Sequence, residues 1–109
     1  LVVNVRAIGG TKCVFDEAGV AKFGDLHQLR VLEIGNVYQD RVPASWAGLG
    51  NLGSLHIFNA RWTAVDPAVA ASWTRLESFR CDSCWYIKEV PNRVARLPRM
   101  GKDSIVLLG

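Results

Sequence analysis

Along most of this chain apolar residues recur every third position, and each run of threes ends in a short alternation. From Pro43 the steps fall at Trp46, Leu49, Leu52 and Leu55, then Ile57. From Pro67 they fall at Ala70, Trp73, Leu76 and Phe79, then Cys81. From Pro91 they fall at Val94, Leu97 and Met100. An earlier unit without the proline runs through Val20, Phe23, Leu26, Leu29 and Leu32 to Ile34. The three prolines are 24 residues apart, and the earlier unit is 23 residues long.

The two periods predict two kinds of local structure. The alternating end is a short strand with one face buried. The apolar residues at every third position suit a 3₁₀ or tight helical turn on the opposite side. Proline suits the start of such a turn, because it presets φ and needs no N–H partner there. One unit cannot bury its apolar edge alone, whereas stacked units can, with their strands forming a parallel sheet.

The segments "LHQLRVLEI", "LGNLGSLHI" and "WTRLESFRC" are three copies of one pattern. That pattern resembles the leucine-rich repeat family, whose repeats of about 20–29 residues carry L-x-x-L-x-L-x-x-N/C-x-L. "LESFRCDSCWY" fits with Leu76, Phe79, Cys81, Cys84 and Tyr86. The continuation "CWYIKEVPNRVARL" is similar to repeats of plant nucleotide-binding immune receptors. The resemblance spans residues 20–101. It implies an α/β leucine-rich repeat solenoid: a curved parallel β-sheet with 3₁₀ or short helical turns on its convex side. The expected division of the single domain 1–109 is an atypical first coil 1–19, coils 20–42, 43–66 and 67–90, and an atypical last coil 91–109.

The ends break the pattern. "LVVNV" alternates, with Val3 and Val5 facing one way, and reads as a first strand. The stretch through "IGGTKCVFDEAG" is longer than later gaps, with Asp16 or Asp25 placed to cap a short helix. Beyond Met100, Asp103 stands where an apolar residue is due, and "SIVLL" predicts a last strand at about 104–108. That apolar, uncharged strand is a poor solenoid cap and makes Ile105 and Leu107 a candidate assembly edge. The chain begins at Leu1, as a mature start or an excised fragment would.

Composition narrows the classes. The chain has 109 residues, half of them apolar, which supports one domain with a real core. A net charge of +3 with scattered basic residues argues against a nucleic-acid partner. No apolar run reaches the roughly 18 residues of a membrane span. "LVVNVRAIGG" lacks the features of a signal peptide. Three cysteines cannot all pair within one chain, and there is no N-x-S/T sequon, so the compartment leans intracellular and reducing.

The C-x-x-C spacing of Cys81 and Cys84 invites a metal or redox reading. The repeat register favours a structural one. Cys81 takes the inward strand position of Ile34 and Ile57, and Cys84 the buried N/C position. A zinc site needs two further ligands, and only Cys13, His27 and His56 are on offer, with His56 pointing the other way. No metal or cofactor is expected.

Leucine-rich repeats bind through side chains pointing out of the strands. The register sets out three rows here: Asn4, Glu33, His56 and Arg80; Arg6, Gly35, Phe58 and Asp82; Val2, Val31, Ser54 and Ser78. Neighbours across strands lie about 4.8 Å apart. Glu33, His56, Phe58, Arg80 and Asp82 are thus the candidate partner-binding residues. The same rows also read as a solvated face whose cross-strand pairs contribute about 0.2–1 kcal/mol each. Catalysis is not expected, because no Ser or Cys nucleophile lies beside His56 in its row, and an open sheet excludes little water. Among the four tryptophans, Trp46 and Trp73 fall on core steps, while Trp62 and Trp85 follow strands and are expected to be partly exposed. Arg93, Arg96 and Arg99 recur every third residue and are expected on one side of the convex turn.

The resulting expectation is a non-enzymatic protein-recognition module that binds a protein partner through its concave face. The alternative is a structural subunit that self-associates end to end through its uncapped terminal strands. A third reading is a domain that only spaces or inhibits its neighbour.

Overall fold

The computed structural model describes residues 4–8, 17–37, 39, 41–62, 64–84, 89–101 and 104–108. Five strands form one sheet: β1 (Asn4–Ile8), β2 (Val31–Val37), β3 (Ser54–Ala60), β4 (Ser78–Asp82) and β5 (Ile105–Leu108). Every neighbouring pair is parallel, and the strand order follows the chain order. Between strands lie three short helices, α1 (Glu17–Ala21), α2 (Pro67–Ala71) and α3 (Glu89–Val94), and two 3₁₀ turns, Lys22–Asp25 and Ala44–Gly48. The architecture is a repeat-like parallel α/β sheet. The Cα radius of gyration is 12.5 Å, close to the value of about 13 Å for a packed domain of this size.

The apolar steps of three all turn inward. Trp46, Leu49, Leu52, Leu55 and Ile57 are buried, as are Ala70, Trp73, Leu76, Phe79 and Cys81. In the earlier unit Val20, Leu29, Leu32 and Ile34 are buried, while Phe23 and Leu26 pack against the core from its margin. Val94 and Leu97 are buried, and Met100 packs at the margin.

The prolines enter their turns at different points. Pro43 precedes its 3₁₀ turn in an extended conformation, Pro67 opens α2, and Pro91 lies inside α3. Asp66, not Asp25, supplies the cap described here: its carboxylate accepts from the Ala68 N–H at 2.9 Å. Asp25 ends a 3₁₀ turn, where an N-cap has no donors to satisfy. Asp16 lies outside the described residues.

A recurrent left-handed residue closes each central strand. Asn36, Asn59 and Ser83 have φ of 58°, 50° and 52°. Each one reverses the strand's alternation. The inward side chains therefore step from Ile34 to Val37, from Ile57 to Ala60 and from Cys81 to Cys84, three residues each time. Asparagine tolerates this conformation better than most residues. The Asn59 Nδ2 group also donates to Asn36 Oδ1 at 2.7 Å, tying one strand exit to the next.

Two tryptophans fasten neighbouring units. Trp46 Nε1 donates to the Val20 carbonyl at 2.9 Å, and Trp73 Nε1 to the Trp46 carbonyl at 2.9 Å. Trp62 corrects the sequence expectation, because it is fully buried rather than partly exposed. Its ring meets Trp46 edge-on, with centroids 5.0 Å apart and planes at 86°, so the second residue after β3 turns back into the core. Its Nε1 has no hydrogen-bond partner among the described residues. Trp85 lies outside the described residues.

Candidate functional site

The face of the sheet opposite the core carries the candidate site, because the strand alternation that buries Leu32, Leu55 and Phe79 turns their neighbours outward. Pairing places Glu33, His56 and Arg80 in one row, as expected, and Gly35, Phe58 and Asp82 in the next. The first strand is shifted by two residues from its expected register. Arg6, not Asn4, stands beside Glu33, and Asn4 joins the row of Val31, Ser54 and Ser78. The shift keeps Val5 opposite Leu32 on the core side, and it brings a cation beside Glu33. Val2 lies outside the described residues.

The row does not act as a simple ladder of acid, imidazole and base. Arg6 Nε lies 3.3 Å from Glu33 Oε2. His56 turns diagonally, with Nε2 2.9 Å from Asp82 Oδ2. Arg80 Nε donates to the same carboxylate, 3.2 Å from Oδ1 and 3.1 Å from Oδ2. An ionised carboxylate only accepts, so this contact sets the proton of the His56 ring on Nε2. Partial loss of water contact raises the Asp82 carboxyl, and the hydrogen bonds from His56 and Arg80 more than reverse it, so the group titrates below its ordinary value.

Phe58 lies beside this network, half-buried, with its ring centroid 5.5 Å from that of His56. The ring covers Gly35. A Cβ built there would fall 2.0 Å from Phe58 Cε2, so only glycine leaves room for the aromatic ring in this position. The five candidate residues are therefore brought together, with Phe58 braced from two sides and Asp82 holding two donors.

At the other end of the sheet, Ile105 and Leu107 pair with Phe79 and Cys81, which are both core residues. Ile105 is half-buried, whereas Leu107 is 55% exposed and the outward Val106 40%. β5 is the last strand of the sheet, so its apolar side chains are covered on one side only.

Cys81 is buried and Cys84 half-buried, and both are free thiols. The Cys84 Sγ lies 3.5 Å from the Asp82 carbonyl and 3.6 Å from that of Ile57. The hydrogen bond to Cys84 and then burial push the Cys81 thiol far up, while accepting that bond lowers Cys84. His56 sits on the opposite face of the sheet from Cys81. Cys13 lies outside the described residues.

The three arginines expected on one side separate. Arg93 and Arg96 line a hollow between α2 and α3 with Pro67 and Leu97, whereas Arg99 reaches Glu77 on another surface, with Nη1 3.5 Å from Oε1. The helix ends after Val94, so a step of three no longer keeps Arg99 on the face of Arg93.

Sequence reading also passed over Asn36 and Asn59, although their offset equals the first repeat length. Compared with known proteins, the chain matches no family model, no curated protein and no solved structure.

Proposed function

We propose that this chain is a leucine-rich repeat-type, non-enzymatic recognition module that binds a protein partner through the open face of its sheet. The observation that carries the reading is Phe58: an aromatic side chain presented on that face, braced by His56 and seated over Gly35. Aromatic anchors with adjacent charged groups are the usual centre of binding energy at interfaces. Asp82, with its two donors, fixes the polar groups beside the anchor, so little side-chain freedom is left to lose on binding.

The test compares proteins captured from the source cell by the wild-type chain, Phe58→Ala and Arg80→Ala. A partner retained by the wild type and lost by both variants, with their folds intact by circular dichroism, supports the reading. A set of partners unchanged by both variants refutes it.

A second reading rests on a separate observation, the exposure of Leu107 at a core-register position. In that reading β5 pairs with a further strand, and the chain is a unit of an extended array. Concentration-dependent self-association that Leu107→Lys abolishes would establish it.

A further inference from the structure

The chain enters the strands of this sheet across a hollow of about 340 Å³ lined by Arg30, Asn51, Gly53, Arg75, Glu77 and Arg99. It lies apart from the Phe58 face, because Arg30, Gly53 and Glu77 each immediately precede a strand. The lining holds three guanidinium groups and one carboxylate. Among the described residues the ion pair of Glu77 is with Arg99, a single 3.5 Å contact between exposed groups, which neutralises little. Arg75 is held by a neutral partner: its Nη1 donates to Asn51 Oδ1 at 2.8 Å. Asn51 is itself fixed, since its Nδ2 donates to the His27 carbonyl at 2.9 Å. One face of the Arg75 fork is therefore anchored while its charge stays uncompensated by any acid among the lining residues.

Gly53 makes the hollow. Its neighbours in the row are Arg30 and Glu77, and the missing side chain leaves the space between them open. The backbone there is already satisfied, with Gly53 N donating to Arg30 O at 2.8 Å and Glu77 N to Gly53 O at 2.8 Å. The nearest atoms to a Cβ at this position would be 3.6 Å and 3.9 Å away, which is ordinary contact. Steric crowding of the protein does not demand glycine here, in contrast to Gly35.

We propose that this hollow binds a phosphate dianion, either free or as a small monoester. Guanidinium groups match phosphate oxygens through paired N–H donors and stay charged at all relevant pH. Three of them against one carboxylate leave two net positive charges, which a dianion neutralises and a single carboxylate does not. The volume lies at the lower end of ligand pockets, about 300–1,000 Å³, which fits a phosphoryl group with a few attached atoms.

The experiment is an amide and arginine Nε NMR titration of the whole chain at constant ionic strength, with inorganic phosphate in one arm and O-phosphoserine in the other. The expected result is saturable shifts at Gly53 and at the Nε groups of Arg30 and Arg75. Arg30→Gln and Arg75→Gln should each weaken binding about tenfold or more, the effect of losing one charge-assisted contact. Gly53→Leu should fill the hollow and abolish binding with every arginine still present. Arg96→Gln removes the same charge outside the hollow and should leave binding unchanged. Tighter binding of the monoester assigns the site to esterified phosphate, and equal affinity assigns it to the free ion. Linear, non-saturating shifts in both arms, or an Arg96→Gln loss equal to that of Arg30→Gln, overturn the proposal.

Discussion

Trp46 and Trp62 offer a matched pair of perturbations. Both rings are fully buried and touch each other, and each would lose the same atoms on replacement by phenylalanine. Volume and transfer losses are therefore similar for Trp46→Phe and Trp62→Phe. The hydrogen-bond consequences differ in sign. Trp46→Phe removes the donor to the Val20 carbonyl, whereas Trp62→Phe removes a buried N–H with no partner among the described residues. A buried polar group without a partner costs about 1–3 kcal/mol. The first substitution creates that cost at a carbonyl and the second relieves it at an indole, so Trp46→Phe should be the more destabilising by about 2–6 kcal/mol. Urea unfolding followed by far-ultraviolet circular dichroism measures both without relying on the removed fluorophore. Equal slopes of free energy against urea would show that the comparison concerns the folded state. Equal losses for the two variants would refute the account of how Trp46 fastens one unit to the next.

Further outcomes follow from other sites. Asn59→Gly should lose the bond to Asn36, about 1 kcal/mol, while Asn59→Ala should lose about 1–2 kcal/mol more, because alanine strains at positive φ; urea denaturation of both variants checks the difference. Asp82 titrates below its ordinary value, so its contribution to stability is present above the unfolded-state pKa, about 3.9, and is lost as pH falls through the lower folded value. The acid limb of the stability curve should consequently be shallower in Asp82→Asn than in the wild type, and thermal melts from pH 5 downward read this directly. Gly35→Ala should displace the Phe58 ring and weaken partner binding as Phe58→Ala does, with the ring shift visible in the aromatic NMR spectrum.

The repeated steps of three and their alternating ends were enough to place the strands, the parallel sheet and most of the core, because burial alone sets that pattern, but they left out Val37, Val42, Ala60, Trp62, Val65, Val69 and Val90. The same register brought Glu33, His56 and Arg80 into one row and Phe58 beside Asp82. It failed where one strand carries no repeat to align it: Val3 with Val5 and Val5 with Ala7 both offer two apolar residues at inward spacing, and the two-residue shift between these registers was decided by pairing with β2. Side-chain directions within a row were also beyond reach, since His56 prefers the diagonal Asp82 to its direct neighbour Glu33. Trp62 was misplaced because β3 continues to Ala60 and the chain then turns inward, a tertiary choice no local period encodes. The arginine hollow had a sequence trace, since Asn51, Arg75 and Arg99 are spaced by the repeat length, but these polar positions carry no weight in a search for apolar periodicity.

The most direct test of the recognition reading is the molar mass of the isolated chain, by light scattering on a size-exclusion column across a wide concentration range. A constant mass of 12.0 kDa is expected, with the open face bearing Phe58 left free for a partner. Open-ended growth that Leu107→Lys abolishes and Phe58→Ala leaves intact would contradict it, and would move the functional surface from the sheet face to β5.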